Sequence, residues 1–243
     1  MYALLKKEIY GFLNSLTGYI VIVVFLVMTG LFLWVFPLGF NILDNGYANL
    51  DGLFMLAPFI FLFLIPAITM RSFADEKKSG TLELLMTQPL TDLQVILAKY
   101  FAGVILVVFS LAPTIVYYIS VYLLGLSPGN LDSGAIWGSY IGLFFLGAGF
   151  VAIGTFASSL TDNQIVSFIL ALFISFFMYM GFEFIYTFIV SGKAGLVIES
   201  LGLSAHYSSM SRGVVDTRDV IYFISVTALF ILMTKLSLES RKW

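Results

Sequence analysis

Six stretches of this chain are long, apolar and almost free of charge, at 18–36, 52–70, 95–124, 134–159, 165–190 and 220–236. Of its 12 basic and 14 acidic residues, only Lys99, Glu183 and Lys235 fall inside them. About 20 apolar residues in helical form cross a hydrocarbon core of roughly 30 Å. That core offers the backbone no water to bond, so a continuous apolar run crossing it must be helical. Barrel strands would alternate, and these runs do not. The expected fold is an all-α membrane protein with six transmembrane helices, residues 1–243 forming a single transmembrane domain. Composition agrees, with 60% of residues hydrophobic and 11% charged. Soluble domains run near 45–50% apolar and about 25% charged. A soluble domain and a disordered chain are both excluded.

Several chemistries are excluded as well. There are no cysteines, hence no disulfides, thiolate metal sites or cysteine nucleophiles. The one histidine, His206, is expected to serve as a structural hydrogen-bond partner. A net charge of −2 gives no reason to expect a nucleic-acid partner. No GxxxxGK[ST] phosphate-binding loop occurs, so energy from ATP would have to come through another polypeptide. No nucleophile–base pair is visible, and no catalytic, cofactor-binding or metal-binding residues are assigned. The first span exceeds a typical signal-peptide core and lacks a small-x-small site after it, so it reads as retained.

Charge placement sets the orientation. With the N-terminus inside, nine basic residues lie on the inner side and three, Lys193, Arg212 and Arg218, on the outer side. The positive-inside rule then puts both termini in the cytoplasm. Residues 1–17 read as an interfacial amphipathic helix, with Leu4, Leu5, Ile9, Phe12 and Leu16 on one stripe. It is either a topology anchor or an elbow that also touches a partner. Thr91 with Gln94 and Thr161 with Gln164 have capping-box spacing at the inner starts of spans three and five. Pro113 should kink span three and strip the Phe109 carbonyl of its partner, with Ser110 placed to replace it. The bend is either a static packed kink or a hinge. Gly138 and Gly142 form a GxxxG pair that permits close helix approach. Residues 191–219 are too long for a turn, and their apolar stretch 195–203 is too short to span; they read as re-entrant or interfacial.

The one sizeable inner loop is 71–94. After mixed charges it carries GTLELLMTQP, where Leu82, Leu85 and Met86 share a helical face while Glu83 and Gln88 project elsewhere. Gly80 permits a sharp entry and Pro89 ends the element. So short a helix is not stable alone, so its apolar face needs either the bundle or a separate protein.

The run from Glu76 to Pro89 resembles the signature of ABC-2 type ABC transporter permeases, with Glu76, Gly80, Thr81, Glu83, Leu84, Leu85 and Pro89 at matching positions. The resemblance extends to the interfacial N-terminal helix, the six spans and the re-entrant segment before the last. Within the family the chain is most similar to the gliding-motility-associated permeases of Bacteroidetes, the F-subunit type, through MYALLKKEIYGFLNS and RSFADEKKSGTLELLMTQPLT. The resemblance implies a cytoplasmic coupling helix, Gly80 to Gln88, docking on an ABC ATPase subunit that brings the ATP and Mg. Glu83 would hydrogen-bond or ion-pair there, and Leu82, Leu85 and Met86 would fill the ATPase groove. It further implies a second permease subunit, homologous or identical, with a large periplasmic region. The setting would be the bacterial inner membrane, and the role gliding motility.

Glu183 is a functional candidate because an acid inside a span is costly. It falls about 27 Å of helix rise from the inner end, near the outer boundary. There it is either a rim residue meeting water, a tyrosine or Arg212, or a gate or substrate contact. Glu183 and Pro113 are the candidate gate and pathway residues. Lys99 and Lys235 lie near inner ends and are expected to snorkel. Two rival classes are an ATPase-independent secondary transporter or channel and a membrane scaffold of a larger machine.

Overall fold

The computed structural model describes residues 1–44, 46–87, 89–125, 131–188 and 193–240. Gln88, the Met86 side chain and residues 189–192, which end the fifth expected span and open the next segment, lie outside the described residues. Every regular element among the described residues is helical: α1 (Tyr2–Leu13), α2 (Leu16–Trp34), α3 (Asp51–Thr69), α4 (Ala74–Lys78), α5 (Thr81–Met86), α6 (Asp92–Leu111), α7 (Ile115–Leu124), α8 (Ser133–Leu160), α9 (Gln164–Phe176), α10 (Phe182–Phe188), α11 (Lys193–Glu199), α12 (Leu203–Met210) and α13 (Thr217–Glu239). Five helical runs are long and apolar enough to cross a membrane, and a sixth is counted if α1 and α2, bent by 60°, make one span. The near end of the bundle carries α1, α4 and α5; the far end carries α11 and α12.

The glycine-rich α8 is the central post, packing against α3, α6, α9, α12 and α13. Aromatic pairs fill the space around it. Phe25 stacks on Phe61 at 5.2 Å between ring centroids, and Phe54 meets the Tyr140 edge at 5.1 Å. Gly138 and Gly142 both face α12. A Cβ on Gly138 would sit 2.7 Å from the Met210 carbonyl oxygen and 3.0 Å from the Gly213 Cα, both backbone atoms that cannot swing aside. The GxxxG pair therefore serves contact within the chain, bringing the 203–213 segment onto α8. Leu203, Tyr207 and Met210 are buried against that surface. His206 ties the same segment to α13. Its Nδ1 lies 2.6 Å from Asp219 Oδ1, its Nε2 2.8 Å from the Ser200 carbonyl oxygen, and its ring stacks on Tyr222 at 3.8 Å.

Several local expectations change. Leu16 leaves the N-terminal stripe: Asn14 ends α1, Ser15 caps α2 by accepting from the Gly18 N–H, and Leu16 is exposed on the new helix. The Thr91–Gln94 capping box forms. The second one does not. Asn163 caps α9 through its own side chain, while the Gln164 amide donates to Asp75 Oδ1. In a capping box Gln164 would accept from the Thr161 N–H; here its side chain is turned to the Asp75 carboxylate, to which it donates a charge-assisted bond. At Pro113 the backbone tightens into a 3₁₀ turn, Ala112–Thr114. Ser110 donates to Leu106 and does not serve Phe109. The bend is instead bonded to the central post: the Tyr140 hydroxyl donates to the Thr114 carbonyl at 3.0 Å, and Thr114 Oγ1 donates to Leu111 at 2.6 Å. A five-residue π turn, Phe177–Gly181, interrupts the run from α9 to α10.

The central post supplies an internal comparison. Gly138→Ala should lower stability by about 1–3 kcal/mol through backbone overpacking. Gly149→Ala, with nothing within 4 Å of the added Cβ, should not lower it and should raise it by up to about 1 kcal/mol. Thermal unfolding of the two variants in detergent, followed by tryptophan fluorescence, measures the difference.

Candidate functional site

At the near end the chain leaves α3 and turns back through α4 and α5 before α6. The turn between α4 and α5 is made by Gly80, whose φ of +71° is left-handed and open to glycine at no steric cost. Ser79 and Thr81 brace that turn, their hydroxyls 2.8 Å apart. The Ser79 hydroxyl also donates to the Asp75 carbonyl.

Four different helices hold this segment. Ser158 near the end of α8 accepts from the Phe73 and Ala74 N–H groups at 2.9 and 3.1 Å and donates to the Met70 carbonyl. The Lys77 ammonium donates to the Ser159 carbonyl. Gln164 at the start of α9 donates to Asp75. The strongest tie is ionic. Lys99 of α6 donates to Glu76 Oε1 at 2.8 Å and to Glu8 Oε1 of α1 at 3.0 Å, and its ammonium lies 5.3 Å from the Phe73 ring centroid. Lys99 is only 4% exposed, so it does not snorkel to water as expected. A buried ammonium must be paired, and two carboxylates within reach make burial cheaper than extending the side chain. The triad joins α1, α4 and α6 in one cluster. Lys7, Arg71 and Asp75 line the same small cavity, so its three cationic and three acidic side chains balance.

This geometry redistributes the expected interface residues. Glu76 is turned toward Lys99. Leu82, 7% exposed, belongs to a second core with Leu4, Phe73, Val95, Ile96 and Leu238, and Leu85 packs against it. Leu82 and Leu85, expected to fill a partner's groove, are thus taken up by this chain's own core. Thr81, Glu83, Leu84 and Pro89 are exposed, Leu84 to 66%. Glu8, Lys99, Ser158 and Gln164 are not visible from the loop's own sequence, because each lies outside its patterned segment. A lone lysine in a 30-residue apolar run was the available signal.

At the far end Glu183 sits exposed on α10, one turn beyond Tyr179, where Ser204 of α12 donates to its Oε2 at 3.4 Å. Arg212 does not share the cavity that Glu183 lines. Pro113 lies away from that cavity, in the bonded bend described above. Tyr207 lines the cavity wall. Burial first, and then the neighbouring Tyr179, push its phenol well above the ordinary value, so it stays protonated and donates to the Phe54 carbonyl at 2.7 Å.

These features define a class: a multi-pass helical membrane protein whose longest near-end connection is fastened to four helices and presents a small exposed face. A family model described as ABC-2 family transporter protein matches residues 36–198, from the end of the first apolar helix through α11. The chain belongs to that family, and it is a permease component of an ABC transporter, a kind of subunit that in general works with an ABC ATPase. No curated protein matches the chain.

Removing the buried cation tests the clamp. Lys99→Met should destabilise the protein by about 3–5 kcal/mol, because two half-buried carboxylates lose their counter-ion. Adding Glu8→Gln and Glu76→Gln to that variant should restore most of the loss. Denaturant titration in detergent reads both effects, and an unchanged midpoint for Lys99→Met would contradict the assignment.

Proposed function

We propose that this permease subunit receives work from a cytoplasmic ABC ATPase through the face of α4 and α5, and passes it to the spans for export or mechanical work across the bacterial inner membrane. The observation that carries this reading is the way segment 70–86 is held. A connection bonded to α6, α8 and α9, and through Lys99 to α1, cannot be displaced without moving those helices. Its outward residues, Thr81, Glu83, Leu84 and Pro89, supply one acidic group and one exposed leucine, a fit for a shallow groove with a basic or hydrogen-bond-donating rim. Leu82 and Leu85 anchor the helix from behind. Gly80 sets its angle, and Glu76 connects it to Lys99.

On this reading both termini and α4–α5 face the cytoplasm, as the excess of Lys and Arg at that end supports. ATP and Mg belong to the ATPase subunit. A second permease, homologous or identical and carrying a large periplasmic region, completes the membrane part. The resemblance of MYALLKKEIYGFLNS and RSFADEKKSGTLELLMTQPLT to gliding-motility permeases supports a role in gliding.

Two leucines two residues apart separate docking from folding. Leu84→Asp should reduce copurification of the ATPase subunit in mild detergent by about tenfold, because it removes an apolar anchor and forces a carboxylate to shed water on docking. Its melting temperature should stay unchanged. Leu82→Asp should instead lower the melting temperature, since it places a charge in the second core. If the ATPase copurifies equally well with Leu84→Asp, the proposed docking face is wrong. Glu83→Arg should retain the complex at reduced yield and lose stimulation of ATP hydrolysis; stimulation at the wild-type level would argue for a scaffold.

A further inference from the structure

A cavity of about 490 Å³ opens at the far end between α3, α8, the π turn, α10, α11 and α12. Pockets that hold drug-sized molecules run about 300–1,000 Å³. Three carboxylates on three separate helices line it: Asp51 at the start of α3, Glu183 on α10 and Glu199 at the end of α11. Among the described residues no Lys, Arg or His joins them. Their present partners are neutral: Ser204 donates to Glu183 at 3.4 Å, and the Asn49 amide donates to Asp51 at 3.0 Å.

The wall between the carboxylates is aromatic, formed by Phe54, Phe59, Tyr179 and Tyr207. Tyr179 is the informative member. It is 8% exposed, and its ring is fixed edge-on by Phe59 and Phe150, with centroids 6.0 and 6.1 Å away. Yet its hydroxyl bonds to nothing among the described residues. Tyr207 beside it already spends its hydroxyl on Phe54. The ring is packed away while the hydroxyl opens onto the cavity without a protein partner among the described residues, so it can bond what enters.

Among the described residues, positive charge is what this lining lacks. A bare metal ion does not suit it, because among the described residues no three acidic or histidine side chains come close enough to hold one. Carboxylates spread around a cavity of this size suit a bulkier ion, and aromatic faces attract diffuse organic cations. We propose that the far-end cavity binds an organic cation with an apolar body, its charge between Glu183 and Asp51 and its rings against Phe54 and Phe59. The Tyr179 hydroxyl is then free to bond a polar substituent. The proposal names the class of compound this permease carries, and so rests on its reading as a transporter subunit.

Tetraphenylphosphonium and tetraphenylborate have nearly the same shape and opposite charge. Binding of each to the full chain in phosphatidylcholine nanodiscs, corrected with empty discs, isolates the sign of the site. Tetraphenylphosphonium should bind saturably, and tetraphenylborate should not. Glu183→Gln should weaken the cation by about tenfold, and Glu183→Gln with Asp51→Asn by more. Glu239→Gln, on α13 at the opposite end, should change nothing. The melting temperature of each variant, taken in the same discs, should match wild type, because Asp51 and Glu183 are exposed to the cavity. Equal binding of the two probes, no saturable binding of the cation, or an affinity indifferent to Glu183 and Asp51 would each overturn the proposal. No ATPase is present in this assay, so its failure leaves the docking face of α5 untouched. Failure of ATPase copurification would likewise leave the cavity standing.

Discussion

One buried ammonium organises the near end of this protein. Lys99 reaches two carboxylates that arrive from separate parts of the sequence, Glu8 from before the first span and Glu76 from after the second. The lysine is shut away from water. Ions in such a place must be found together or not at all, because each alone bears the desolvation cost. The positions of α1, α4 and α6 are consequently coupled through a single nitrogen atom. The hydrogen bonds from Ser158 and Gln164 bring α8 and α9 into the same arrangement, so four helices meet around the connection that carries α4 and α5.

The broad architecture was legible because lipid imposes it. An apolar run of twenty residues has few alternatives, and the helices lie close to where those runs begin and end. Local signals were weaker where two side chains compete for one role. Thr161 had the spacing of a cap, but Asn163 stands nearer the first free N–H and took it. Ser110 could have served the carbonyl orphaned by Pro113, but its own preceding turn offered Leu106. The π turn was invisible, since no residue type demands one. In the loop, the amphipathic pattern of 81–86 was legible and its direction was not. Periodicity says that Leu82 and Leu85 share a face; it does not say what covers that face. Here Leu4 and Leu238 do, from near the two ends of the chain, together with Phe73 of the same connection.

The two ends of the bundle are built on different principles. The near end is a set of charges and hydrogen bonds between helix termini. The far end rests on close backbone approach, with α12 pressed against Gly138 and Gly142 and His206 bridging to Asp219. Between them runs α8, 28 residues long and buried along most of its length. Its end carries Ser158, and its start carries the glycine that seats α12. A rigid-body shift imposed at one end of such a post reaches the other, because close-packed side chains transmit displacement. The bend at Pro113 belongs to this scheme as a fastened joint, since Tyr140 of the post bonds directly to Thr114.

The burial of Leu82 bears on the order of assembly. Because the short helix 81–86 is already seated on its own chain, the subunit presents a finished surface before any cytosolic partner arrives. Recruitment then needs no coil-to-helix transition on this side, and the ordering entropy is spent during membrane insertion. If the ATPase docks there as proposed, it can leave and return without unravelling that segment. On the proposed docking, a subunit in the bilayer therefore already carries the shape that its soluble counterpart would meet.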